Sequence, residues 1–272
     1  MSGSADDTRP DPTGPDLSGK VAIVSGASRG IGRGLALGLA EAGATVVCSA
    51  RTTSSRPNDL GLPGTIDETA AAIRAAGGEA LAVRCDIGVA DDITALVDST
   101  VATYGRLDVL VNNAMAPTRG LFPETTEEMW DESMRINVRS LFLTARAVVG
   151  PMREQGAGSI INISSGVSTI QPPNAAVYTA TKASVDAITT VLAKELAPKN
   201  IRVNAVNPGM IATEGVVSAG LSEGDMRGWI ESVTPMGRIG KVEEIASVVV
   251  FLASEGASYV TGETLHVTGG LK

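Results

Sequence analysis

Tyr178 and Lys182 stand four residues apart in the run YTATK, and Ser165 lies thirteen residues upstream in INISSG. On a helix, positions i and i+4 share a face, so the phenol and the ammonium can enter one site. An ammonium beside a phenol favours phenolate and is expected to draw the tyrosine below its ordinary pKa of about 10, which makes it a proton donor or acceptor near neutral pH. A serine delivered by the preceding strand can hold a substrate oxygen between them. Ser164 competes with Ser165 for that part. Many surface helices carry a Y-x-x-x-K spacing by chance, so its weight depends on the elements that position it.

The strongest of these elements is VAIVSGASRGIGRGLALGLAEAGATVVCSAR. Residues 21–25 form a short apolar run of the kind a buried parallel strand shows. Gly26, Gly30 and Gly32 follow, then an alanine-rich helix from about Ile31 to Ala42 ended by Gly43, then a strand over 45–49. In this strand–turn–helix–strand setting the glycines permit a tight turn and a close backbone approach to a pyrophosphate held at the helix N-terminus. NAD-binding units of this kind place an acid at the end of the second strand. Here that place holds Ala50 and Arg51, and Arg29 lies within the glycine loop. Two guanidiniums and no acid predict NADP(H), with its 2′-phosphate, as the preferred coenzyme, and NAD(H) as the alternative.

From Leu17 to Lys272 the chain resembles the short-chain dehydrogenases/reductases. SGASRGIG resembles that family's TGxxxGIG motif, with Ser25 for threonine. CDI at 85–87, NNA at 112–114, MRINV with Asn137, INISS, YTATK, NPGMIAT and the ending YVTGETLHVTGG follow in the family's order. The resemblance implies that Tyr178 exchanges a proton with a carbonyl or alcohol oxygen and that Ser165 hydrogen-bonds this oxygen. It also implies that Lys182 binds the nicotinamide ribose and that Asn137 holds a water linking Lys182 to solvent. The implied coenzyme-binding set is Gly26, Ser28, Arg29, Gly30, Ile31, Gly32, Arg51, Asp86, Ile87, Asn112, Ala114, Tyr178, Lys182, Pro208, Gly209, Ile211 and Thr213. Within it, Asp86 meets the adenine, Asn112 the adenosine ribose and Thr213 the carboxamide. Met115 departs from the family, which has glycine after NNA, and points to a reshaped substrate pocket. The helix over 175–198 and the end over 241–272 resemble surfaces that build homotetramers or homodimers.

The remaining pattern alternates strands near 20–25, 44–49, 79–85, 108–112, 158–164, 201–207 and 262–267 with helices near 30–42, 65–77, 90–104, 124–134, 136–155, 175–198 and 241–254. This predicts an α/β, single-domain Rossmann fold: a doubly wound, seven-stranded parallel sheet with helices on both faces, over 17–272, behind a polar, proline-rich disordered tail at 1–16. Two connections exceed the usual two to six residues. One is the insert at 52–64. The other, at 214–235, reads as a mobile lid with Gly215, Gly220, Gly224 and Gly228. Met115, Val167, Met210, Val216 and Trp229, with Phe122, Val217 and Met226, suggest an apolar pocket. This favours a ketone or secondary alcohol of terpenoid, steroid or 3-oxoacyl type.

Among 272 residues the formal net charge is −8 and no basic stripe is visible, so nucleic acid is not an expected partner. No apolar run reaches the roughly 18 residues a bilayer requires. The start has no hydrophobic leader, and the cytoplasm follows by default. Cys48 and Cys85 read as buried core and the single His266 as structural, and no metal site is expected. Three other readings compete with the reductase. A sugar epimerase of the extended branch expects TGxxGxxG, and an enoyl reductase a wider tyrosine–lysine spacing. A non-catalytic coenzyme sensor would lack one of the four catalytic residues, all of which are present.

Overall fold

The computed structural model describes residues 14–56, 62–218 and 224–271 and, for residues 217, 218 and 224–226, the backbone alone. Most of the expected tail, the middle of the 52–64 insert, Gly220, Lys272 and the side chains of Val217 and Met226 lie outside the described residues.

The strands are β1 Val21–Ser25, β2 Thr45–Ala50, β3 Ala80–Arg84, β4 Val109–Asn112, β5 Gly158–Ile163, β6 Ile201–Pro208 and β7 Thr264–Val267. They form one parallel sheet in the order β3-β2-β1-β4-β5-β6-β7. The helices are α1 Gly30–Glu41, α2 Ile66–Ala75, α3 Ala90–Tyr104, α4 Glu127–Met134, α5 Ser140–Gln155, α6 Val167–Ile170, α7 Ala176–Leu196, α8 Glu214–Ser218, α9 Gly224–Val233 and α10 Val242–Ala253. The apolar strand runs feed both faces. Ala22 and Val24 pack with Leu35 and Leu39 of α1, Ile73 of α2 and Val249 of α10. Val21 and Ile23 pack with Leu96 of α3, Val148 of α5 and Leu196 of α7. This is the doubly wound, three-layer arrangement that the strand–helix alternation predicts. Chain direction away from the sheet centre reverses between β1 and β4, the place where such sheets hold a ligand at their carboxyl ends.

Two local departures from the expected elements occur. The two helices expected at 124–134 and 136–155 are joined without a break by a π-helical segment, Arg135–Arg139, which contains Asn137. One extra residue per turn re-aims a side chain, and π-segments recur at functional sites for that reason. The second departure is the short helix α6, which starts immediately after Ser165 and Gly166 and was not expected from the pattern.

Candidate active site

The glycine loop is shaped by its neighbours as much as by its own residues. Gly26 has φ +70°, and a Cβ there would stand 2.8 Å from the Asn113 amide nitrogen. A Cβ on Gly32 would stand 2.2 Å from the Gly26 carbonyl oxygen and 2.3 Å from the same amide, so only glycine lets α1 start so close to the turn. Gly30 is different: φ is +54° and nothing lies within 3.6 Å of a built Cβ. Its glycine serves backbone conformation, and Thr213 and Glu214 lie at van der Waals distance from that face. Asn113 donates to the Ser25 carbonyl at 2.9 Å, and the Ser25 hydroxyl accepts from the Asn113 and Ala114 amides. Ser25 thus ties the ends of β1 and β4 together across the reversal point. Gly64 and Thr69 brace the other side. A Cβ on Gly64 would meet the Ser28 carbonyl, and the Thr69 hydroxyl donates to Ala27 O at 2.8 Å.

The first-turn amides of α1 receive no side-chain cap from their N-cap residue, Arg29. The amide of Gly30 instead donates to the Glu214 carboxylate at 3.0 Å. A helix N-terminus that holds an anion at the sheet's reversal point fits the pyrophosphate of a dinucleotide. The Arg29 guanidinium donates to the Thr52 hydroxyl at 3.3 Å and to Gly64 O at 3.4 Å, so it is docked on both ends of the 52–64 insert. Arg51 is exposed at the end of β2.

The catalytic candidates converge from β5, the π-segment and α7. Tyr178 and Lys182 are both buried, and the Lys182 ammonium sits 5.7 Å from the Tyr178 ring centre. That ammonium donates to Ile163 O at 2.8 Å. Burial pushes Lys182 down to about 8, against the opposing pull of Asp186. Burial also raises Tyr178 above the usual phenol value, and the Ser165 hydrogen bond and the Arg119 charge only partly offset it. This corrects the expected lowering by Lys182, because desolvation outweighs the charges around the phenol. Ser165 lies beside the phenol it influences, and its hydroxyl accepts from the Val167 amide at 3.3 Å. Ser164 is not a rival, since its buried hydroxyl donates to the Lys182 carbonyl at 3.1 Å and ties α7 to β5. Asn137 accepts from the Ala116 amide at 2.7 Å and donates to Ala116 O and the Thr181 hydroxyl. It joins the loop after β4 to α7, and with Lys182 and Asn112 it lines a small internal cavity.

Asn112 donates to Asn162 at 3.0 Å and accepts from Thr144 at 2.7 Å, so its amide links β4, β5 and α5. Ala114 and Ile87 line the same cavity as Lys182. Asp86 turns the chain after β3 by accepting from the Gly88 amide. Ser28 is buried and Ile31 half-buried beside the glycine loop. Pro208 and Gly209 cross the ends of β5 and β7: Pro208 O accepts from Gly166, and Gly209 donates to Val267 O. Ile211 is stitched to Gly240, and the Thr213 hydroxyl accepts from the Val216 amide at the start of α8.

The five pocket candidates are Met115, Val167, Met210, Val216 and Trp229. Met210 lines a cleft with Ile211, Thr234 and Met236 whose lining includes none of the other four. Val167 is buried and Val216 half-buried, while Met115 and Trp229 are about half exposed. Among the described residues, Asn113, Ser25, Thr181 and Glu214 are the structural partners that motif reading leaves unassigned. The second asparagine of NNA was the available signal for the first of them.

A protein-family profile described as enoyl-(acyl carrier protein) reductase matches residues 26–272. The chain is 43% identical to an uncharacterized oxidoreductase of Methylorubrum extorquens, over 94% of this chain and 99% of that one. The chain belongs to the short-chain dehydrogenase/reductase family. Another relative within it is the 3-oxoacyl-[acyl-carrier-protein] reductase FabG of Staphylococcus aureus, 37% identical over 93% of this chain and 98% of that one. A candidate 2-deoxy-d-gluconate 3-dehydrogenase from Agrobacterium tumefaciens, solved with bound NADP, has 38% identity and a TM-score of 0.83, and the match covers 94% of this chain and 97% of that one. As a short-chain dehydrogenase/reductase the chain is an NAD(P)-dependent oxidoreductase of CH–OH and carbonyl groups. Cys48 and Cys85 are buried thiols, pushed up to about 12 and about 11. His266 lies on β7 in register with Asn207, and its Nδ1 is buried. Among the described residues no helix is long and apolar enough to cross a membrane.

Proposed function

We propose that the chain is a ketone reductase and secondary-alcohol dehydrogenase that prefers NADP(H) and takes a mostly apolar small molecule of terpenoid, steroid or 3-oxoacyl type. The observation that carries this is the approach of the buried Lys182 ammonium to 5.7 Å from the Tyr178 ring centre, with Ser165 just beyond β5 influencing the same phenol. When bound, the nicotinamide supplies or accepts the hydride. The chain's residues do the rest. Tyr178, held protonated at neutral pH by burial, donates its proton to the carbonyl oxygen. Ser165 holds that oxygen by a hydrogen bond and stabilises the charge developing on it. Lys182, charged below about pH 8, supports the phenolate left behind. The reverse sequence returns the proton to Tyr178.

Preference for NADP(H) is supported by the absence of an acid at the end of β2 and by the docking of Arg29 on Thr52, one residue beyond Arg51. Apolar substrates are supported by the exposure of Met115, Trp229 and Met236, which leaves apolar side chains available to line a pocket. The relatives' names span an acyl-carrier substrate and a sugar acid, so the family alone does not choose. Assembly as a dimer or tetramer is supported by exposed Val191 on α7 and by Phe251 and Tyr259 near the carboxyl end. The test is nicotinamide absorbance during turnover of a panel of apolar ketones and secondary alcohols, with NADPH and NADH in parallel. Faster turnover with NADPH on apolar members is expected. Equal dissociation constants for the two coenzymes would sink the preference.

A further inference from the structure

The carboxylate at the glycine loop comes from far away in the chain. Glu214 opens α8, 184 residues beyond Gly30, and its Oε2 accepts the Gly30 amide at 3.0 Å. Thr213, immediately before it, places Cβ and Cγ2 3.6 Å from the point a Gly30 Cβ would occupy. The start of α8 therefore packs against the glycine loop at Gly30. The Arg29 guanidinium, next to Gly30, feels the Glu214 charge, so the carboxylate stands in the positive field of both the helix N-terminus and an arginine. Glu214 itself is exposed, so swinging it away leaves no buried group unpaired.

We propose that Glu214 is a built-in competitor for the coenzyme's phosphates: its carboxylate fastens α8 to the glycine loop in the free protein and is displaced when the dinucleotide binds. The inference rests on the dinucleotide reading of the glycine loop. Two anions cannot share one amide, and their like charges oppose each other in the same field. Coenzyme binding thus does work against Glu214 and releases α8, the beginning of the 214–235 connection. The same contact sets the coenzyme's affinity and ties the position of α8 to whether coenzyme is bound. Because the pyrophosphate is common to both coenzymes, the effect is equal for NADPH and NADH and separates from any preference set by Arg29 and Arg51.

The test titrates NADPH and NADH, followed by their fluorescence, into wild type, Glu214→Gln and Glu214→Ala. Amide hydrogen exchange of the free proteins around Gly30 is measured alongside. A charge-assisted hydrogen bond at a helix N-terminus is worth about a three- to tenfold change in an equilibrium constant. Both variants are expected to bind both coenzymes about three- to tenfold more tightly, and the Gly30 region of free Glu214→Ala is expected to exchange faster than in wild type. Unchanged or weaker binding in the variants, or unchanged exchange at Gly30, would overturn the proposal. Failure of wild type to bind either coenzyme would be a different result, one that removes the dinucleotide reading and this proposal with it.

Discussion

Burial works on Tyr178 and Lys182 alike, favouring the neutral form of each. For the phenol this suits a proton donor, since it remains protonated until a carbonyl oxygen arrives. For the lysine it gives a stability signature whose sign follows from linkage. Its folded pKa of about 8 lies below its ordinary value of 10.5, so between those values the unfolded chain binds more protons and stability rises with pH. Wild type is expected to gain up to about 3 kcal/mol relative to Lys182→Met as pH rises across that window, as read by urea unfolding. A constant difference between the two proteins would contradict the burial of the ammonium. The two serines divide as their partners do. Ser165→Ala is expected to lower kcat by about a hundredfold with little change in stability. Ser164→Ala is expected to cost about 1 kcal/mol of stability and to leave kcat within a fewfold. Paired thermal melts and initial rates distinguish them. The spacing of Tyr178, Lys182 and Ser165 was readable in sequence because it repeats along a helix and at a strand end. The direction of the tyrosine's shift was not, because desolvation depends on what covers the ring, and no local spacing records that.

The glycine loop shows what an element can reveal before folding and what it cannot. Gly26, Gly30 and Gly32 are legible as a turn into a helix, but the separate duties of Gly26 and Gly32 depend on Asn113, more than eighty residues away. Gly32→Ala would drive a methyl group into the Gly26 carbonyl. It is expected to cost about 1–3 kcal/mol of stability and to weaken coenzyme binding at least tenfold. Asn113→Ala leaves the Ser25 carbonyl without its partner and is expected to lower stability by about 1–3 kcal/mol with a parallel loss of coenzyme affinity. Denaturant titration together with fluorescence titration reads both, and a variant with wild-type affinity would show that the loop does not need this brace. The π-segment at Arg135–Arg139 was invisible to periodicity, since one inserted residue breaks the helical pattern without any glycine or proline to mark it. Its consequence is specific: Asn137 meets Ala116 and Thr181 at once, joining the loop after β4 to α7.

At the scale of the whole molecule, the fold was the most legible feature. Seven apolar runs separated by helical patterns admit few arrangements once crossovers are right-handed, and the observed sheet has the reversal between β1 and β4 that brings the motif-bearing strand ends together. Contacts that return from the far end of the chain, such as Glu214 to Gly30, were not legible, because two partners 184 positions apart leave no joint signal in one sequence. Exposed Val191, Phe251 and Tyr259 lie on the two segments expected to build an assembly. Light scattering is expected to give two or four times the 27.7 kDa chain mass, and Val191→Glu to lower it. A monomer in the wild type would contradict the assembly.

The most direct measurement is kcat for ketone reduction in wild type and Tyr178→Phe, with the coenzyme dissociation constant of each. Loss of the proton donor is expected to lower kcat by about a hundred- to ten-thousand-fold, with the dissociation constant unchanged within a fewfold. A Tyr178→Phe protein that turns over at the wild-type rate would contradict the assignment of proton transfer to this site.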